Sequence, residues 1–157
     1  MISKILVAVD GSAYSLRAAL LGADILNRDI PGTLTLLYVT KVGADLDWFR
    51  FQGPWSDLNQ AAAEEREALD RTFKQGQEVL QEARTACVGL LKNRPVQVET
   101  VVHFGDPADQ INDFAEKKPF DLLILGCRGI GPLRGVIIGS VSQKVLHGTR
   151  CPVLIVK

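Results

Sequence analysis

The chain carries no excess of charge of either sign. Lys plus Arg and Asp plus Glu are 18 each, so the formal net charge is zero. That leaves no electrostatic footprint for nucleic acid or an anionic membrane, and neither is expected as a partner. Any phosphate ligand must be held locally, by backbone amides or a few cations. Cysteine is scarce. Cys87, Cys127 and Cys151 are too few and too scattered for a disulfide framework. Their odd number fits a reducing compartment, and none stands in C-x-x-C spacing, which weakens zinc and thioredoxin-like readings. Long apolar runs are missing too. Ile5 to Val9 is stopped by Asp10, too short for a signal-peptide core or a membrane span. The expected location is cytoplasmic.

The common phosphate motifs are also absent. A P-loop needs G-x-x-x-x-G-K-[ST], but Gly135 and Gly139 are four apart and no lysine follows Gly139. A dinucleotide fingerprint belongs after the first strand, where only Gly11 stands, and Gly126-x-x-Gly129-x-Gly131 has the spacing reversed. No Ser/His/Asp arrangement is visible, and neither His103 nor His147 has a carboxylate motif beside it. No catalytic and no metal-ligating residue is assigned.

What is present alternates. Lys4 to Val9 is a continuous apolar run suited to a parallel strand buried on both faces. Ser12 caps a helix from Ala13 whose apolar face carries Leu16, Ala19, Leu20, Ala23 and Leu26. Pro31-Gly32 breaks it, and Thr33 to Val39 reads as a second strand. Residues 40–58 lack periodicity, although they hold Trp48, Phe49, Phe51 and Trp55, and read as a long loop. From about Asn59 to Lys92 the spacing of Leu69, Phe73, Gly76, Leu80, Ala83, Cys87 and Leu90 predicts a helix, with Glu67–Arg71 and Asp70–Lys74 as i,i+4 pairs. Val96 to Val102 alternates, as a strand with one wetter face or at a sheet edge. Asp106 and Pro107 cap and open a helix with Ile111, Phe114 and Ala115 inward. Asp121 to Gly126 is a fourth strand. Ser140 to His147 is a last helix stopped by Gly148, and Cys151 to Val156 is a fifth strand. Strands alternating with helices imply a single α/β domain over residues 1–157: a parallel sheet covered by helices on both faces.

In such sheets ligands bind beyond the carboxyl ends of the strands, where the strand order reverses. Two segments have suitable chemistry there, Asp10-Gly11-Ser12 and Gly126-Cys127-Arg128-Gly129, the latter followed after nine residues by Gly139-Ser140. Gly126 and Gly129 permit a turn and a close approach of backbone to a sugar or phosphate. Gly139 and Ser140 start a helix, and the amides of Ser140, Val141 and Ser142, with the two serine hydroxyls, form an anion site. Asp10 is placed for ribose hydroxyls. Arg128 and Arg134 are candidates to neutralise phosphates, against the plainer reading of solvated loop arginines. Cys127 beside Arg128 is a candidate redox thiol, or simply a small residue filling space. Ser140 to Gln143 also reads as a capping box that needs no ligand, and Asp10-Gly11 as a turn before a helix.

Gly-x-x-Gly, nine residues, then Gly-Ser, at Gly126, Gly129, Gly139 and Ser140, resembles the nucleotide signature of the universal stress protein family. Val7 to Ser12, Gly139 to Leu146 and Cys151 to Val156 are similar to that family as well. The resemblance implies a five-stranded parallel sheet of order 3-2-1-4-5. It implies ATP, with Mg2+ or Mn2+, held by Asp10 and by main chain at Val39, Gly126, Gly129, Gly139, Ser140, Val141 and Ser142. Pro132 and Gly135 are departures within the nine-residue loop. The resemblance also implies a homodimer through Cys151 to Val156, and a bare apolar edge strand points the same way. The expected function is a nucleotide-dependent sensor or regulator in stress, with an unidentified protein partner. Its rivals are a slow ATPase on the same fold and a ligand-free interaction scaffold.

Overall fold

The computed structural model describes residues 1–40, 55–128 and 138–157. Its elements are β1 (Lys4–Ala8), α1 (Ala13–Leu26), β2 (Gly32–Thr40), α2 (Trp55–Leu90), β3 (Val96–Phe104), α3 (Pro107–Lys117), β4 (Leu122–Gly126), α4 (Ser140–Gly148) and β5 (Val153–Val156). All five strands are parallel in one sheet of order β3-β2-β1-β4-β5. The expected topology is thereby met, and the chain reverses its winding direction at β1 and β4.

β1 is central because it has no side that tolerates water. Ile5, Leu6 and Val7 are fully buried, and the pleat sends them to opposite faces. Ile5 and Val7 join Leu34, Leu36 and Ile124 beneath α1 and α2, with Ala19, Leu80, Ala83 and Cys87. Leu6 joins Leu37, Leu123 and Leu125 beneath α3 and α4, with Ile111, Phe114 and Val145. β3 is an edge strand with alternating exposure over its first half, as its sequence foretold.

Local signals set two helix starts. Ser12 Oγ accepts from Ser15 N at 3.1 Å to cap α1, and Asp106 Oδ1 accepts from Ala108 N at 3.0 Å to cap α3 ahead of Pro107. Other boundaries differ from expectation. α2 begins at Trp55, so residues 55–58 are helical rather than loop, while residues 41–54 lie outside the described residues. At its other end Leu90 is 39 % exposed and Leu91 takes the core position, because the helix ends at Leu90 and the chain turns beneath it. Gly148 closes α4 without a left-handed turn; only Gly11 and Gly105 have positive φ among the described glycines. At Gly148 the end of the Asn112 side chain occupies the space a Cβ would take, so any larger residue there requires Asn112 to move.

Thirty-six residues make α2 about 54 Å long, against about 30 Å for the nine-residue strands. Only its later part is covered by the sheet and α1: Gly76, Leu80, Ala83 and Cys87 are buried, whereas Phe73 is 37 % exposed and stacks on Phe104.

Candidate functional site

β1 and β4 lie side by side, and the turns leaving them are tied together. Asp10 turns the chain: its Oδ1 accepts from Ser12 N at 2.9 Å, and Gly11 stands at φ +87°, a conformation that suits glycine. Ser15 Oγ donates to Ser12 O at 3.0 Å and accepts from Asp10 N at 3.2 Å. Ser12, having capped α1, donates from Oγ to Arg128 O at 3.4 Å. This bridge from the β1 turn to the β4 turn spans the switch point, and sequence reading missed it. The only signal was the capping serine itself.

The β4 turn is anchored in turn. Cys127 N donates to Val156 O at 2.7 Å, and Gly139 N donates to Cys127 O at 2.6 Å. Gly139 is thereby drawn down onto the end of β4 and becomes the N-cap of α4, with φ −68° and ψ 156°. The capping box predicted at Ser140 to Gln143 does not form, because Ser140 is already the first helical residue and no side chain caps the helix. Gln143 N donates to Gly139 O at 2.9 Å as the first helical bond. The amides of Ser140, Val141 and Ser142 therefore have no side-chain cap, unlike those of α1 and α3. Such a first turn presents free amides and the positive end of the helix dipole, chemistry that suits an anion.

Two candidates have structural duties that their motif did not reveal. Ser142 is 7 % exposed and donates its hydroxyl to Gly126 O at 2.8 Å, so that hydroxyl is turned inward rather than offered to a ligand. Gly126 does not adopt positive φ. A Cβ there would stand 2.9 Å from Tyr14 C and Tyr14 Cβ and 3.0 Å from Ser15 N, so the glycine lets the start of α1 press onto β4. Val39 lies one strand away at the end of β2, opposite His103 of β3. Cys127 is buried at 4 % exposure, which favours the space-filling reading over the redox thiol. Gly129, Pro132, Arg134 and Gly135 lie outside the described residues.

Asp10, Gly126, Arg128, Gly139, Ser140, Val141 and Ser142 thus gather at the carboxyl ends of β1 and β4. His103 sits apart, 3.2 Å from Gln110 Oε1 and edge-on to Phe114. His147 occupies the last turn of α4. It lines, with Asp109, Asn112, Gln143 and Lys144, an open groove of about 610 Å³ between α3 and α4. Among the described residues no three His, Cys, Asp or Glu side chains cluster as metal ligands, and no helix is long and apolar enough to cross a membrane.

Comparison with known proteins matches residues 1–157 to the family model described as "Universal stress protein family". The universal stress protein YxiE of Bacillus subtilis is 32 % identical over 161 aligned positions covering all of both chains. The solved universal stress protein UspA of Lactobacillus plantarum superposes with a TM-score of 0.78 at 25 % identity, covering 99 % of this chain and 97 % of that one. Two more distant structures share the fold. One is a universal stress protein in complex with cAMP, at TM-score 0.65 and 21 % identity over 99 % of this chain and 96 % of the other. The second is a family protein of Arabidopsis thaliana with AMP bound, at 0.63 and 20 % over 99 % and 91 %.

Proposed function

The chain belongs to the universal stress protein family, and from that premise we propose that it binds ATP at the carboxyl edge of its sheet and acts in the cytoplasm as a nucleotide-dependent sensor or regulator of the stress response. The carrying observation is the first turn of α4, which lacks a side-chain cap and is pinned by Gly139 to the end of β4, across the switch point from Asp10. Fold relatives solved with cAMP and with AMP support an adenine nucleotide. In this reading the amides of Ser140, Val141 and Ser142 receive phosphate oxygens, and Gly139 leaves room for them to approach to about 3 Å. Asp10 accepts from the ribose hydroxyls through the oxygen not engaged by Ser12. Main chain at Val39, Gly126 and Gly129 lines the adenosine, and Arg128 balances phosphate charge. Mg2+ or Mn2+ would enter on the phosphates, since such ions commonly keep most of their shell as water and phosphate.

The outer edge of β5 has no partner strand among the described residues. We propose that two copies pair along it, from Cys151 to Val156, as a homodimer; sedimentation as a monomer at micromolar concentration would count against this.

Calorimetric titration of ATP with Mg2+ tests the site. Gly139→Val should abolish binding, because a branched side chain fills the phosphate approach. Ser140→Ala should cost little affinity, since the amides remain. Asp10→Ala should weaken ATP and ADP alike. Gly139→Val binding as tightly as wild type would show that the phosphates lie elsewhere.

A further inference from the structure

Helix α2 reaches the Asp10 corner from behind the sheet at two points. The first is Gly11, the residue that follows Asp10. A Cβ on Gly11 would meet Val79 Cγ2 at 3.3 Å, so the half-buried Val79 side chain is already seated against the turn. The second is Tyr38, near the end of β2. Its ring lies over Gly76, three residues before Val79 and so on the same helix face; a Cβ at Gly76 would stand 2.6 Å from Tyr38 Cδ1 and 2.9 Å from Cε1. Val9 N donates to Leu37 O at 2.8 Å, which sets Tyr38 beside the residues that lead into Asp10, and the Tyr38 hydroxyl is pushed above its ordinary range, first by burial and then by the charge of Asp10.

Asp10 itself is loosely held. Among the described residues its carboxylate accepts one hydrogen bond, from Ser12 N within the same turn, and makes no ion pair. The direction of the free oxygen therefore follows the turn; Val79 packs against the turn at Gly11, and Tyr38 stands beside the strand that leads into it. We propose that Val79 and Gly76, acting through Gly11 and the Tyr38 ring, are positioning residues that aim the Asp10 carboxylate and so set how strongly the site prefers a nucleotide bearing ribose hydroxyls. The inference rests on the nucleotide reading above and extends it to the recognition of the sugar. A hydrogen bond to a charged group depends steeply on its angle, and a shift of a fraction of an ångström in a supporting residue is enough to lose it.

The test compares ATP with 2′,3′-dideoxy-ATP, which lacks the hydroxyls, in calorimetric titrations of the full chain. Wild type should favour ATP by about 10-fold or more, the worth of one charge-assisted hydrogen bond. Asp10→Ala should bring the ratio close to one. Val79→Ala and Gly76→Ala should each bring it below about 3-fold while affinity for the dideoxy compound stays within about 2-fold of wild type, a split that general weakening would not produce. Val79→Ile, which keeps the contact, should restore the preference. Val79→Ala serves alone if Gly76→Ala does not fold. A collapsed ratio in Asp10→Ala with an unchanged ratio in Val79→Ala overturns this inference and leaves the site standing. Equal losses for both ligands in the α2 variants also overturn it. A ratio that survives Asp10→Ala, or the absence of any ribose preference in wild type, overturns the role given to Asp10 and this inference with it.

Discussion

Gly126 and Gly89 invite the same substitution with opposite results. At Gly126 a methyl group would stand 2.9 Å from the carbonyl carbon and Cβ of Tyr14 and 3.0 Å from Ser15 N. Two of those atoms are backbone of the first turn of α1, and they have no rotamer by which to withdraw. Overpacking of a close-fitted interior costs about 1–3 kcal/mol, and rigid neighbours place Gly126→Ala in the upper part, about 2–3 kcal/mol. For a chain of this size each kcal/mol lowers Tm by about 2–4 °C, so the loss should be about 4–12 °C. At Gly89, near the end of α2, a methyl group meets nothing within 4 Å. There the helix preference for alanine acts alone, at most about 1 kcal/mol and less in a last turn, so Gly89→Ala should raise Tm by up to about 3 °C. Thermal melts followed by circular dichroism measure both. Should Gly126→Ala melt within about 1 °C of wild type, α1 is not pressed onto β4 as described.

Three further outcomes are expected. Ser142→Ala strips Gly126 O of its buried donor and should cost about 1–3 kcal/mol in urea unfolding; an unchanged midpoint would mean that water replaces the hydroxyl. Asp121 accepts from Ser3 N at 2.8 Å and Lys4 N at 2.9 Å, and these bonds hold its carboxyl below the ordinary 3.8. A depressed folded value means stability that is present above the unfolded value and lost as pH falls through the folded one. Asp121→Asn should therefore flatten the stability profile below about pH 4, and identical acid limbs would refute this. Burial pushes the Cys87 thiol from 9.0 up to about 11. The unfolded chain ionises first, so stability should decline as pH climbs from about 9 to 11. At neutral pH Cys87 should stay unlabelled by a thiol reagent in the native protein and react once the chain is unfolded; rapid labelling of native Cys87 would contradict its burial.

Much of the fold was legible in residues whose preference is local. The Ile5 to Val9 run, the Ser12 cap and the Asp106-Pro107 start act within a few positions, and the structure uses each as read. The carboxyl-edge gathering of Asp10, Gly126, Gly139 and Ser140 was legible as a spaced motif. What escaped were features decided across the chain. Ser140 reads equally well as N-cap or first helical residue, and the choice falls to Gly139 because its amide reaches Cys127 O. Gly76 looks like a tolerated glycine inside a helical pattern, and only the Tyr38 ring, 38 residues earlier, accounts for it. Gly126 carries a motif, yet its packing requirement comes from Tyr14 and Ser15 of another helix. Periodicity also carried the α2 face one position astray, since a helix that stops at Leu90 hands the next core position to Leu91.

The central place of β1 has a consequence for how the chain is made. β1 leaves the ribosome well before β4, one of its two partner strands, which begins more than a hundred residues later; the Ser3–Asp121 bond spans 118 positions. At about 5–20 residues per second, β1 waits about 6–24 s for that neighbour. During the wait Ile5, Leu6 and Val7 can pair with β2 on one side only, and their other edge is an open template for any extended apolar segment nearby. Pairing so distant in sequence also makes for slow folding. A nascent chain of this protein is thus exposed to aggregation until β4 emerges, and a chaperone that covers β1 would shield a strand whose Ile5, Leu6 and Val7 end fully buried.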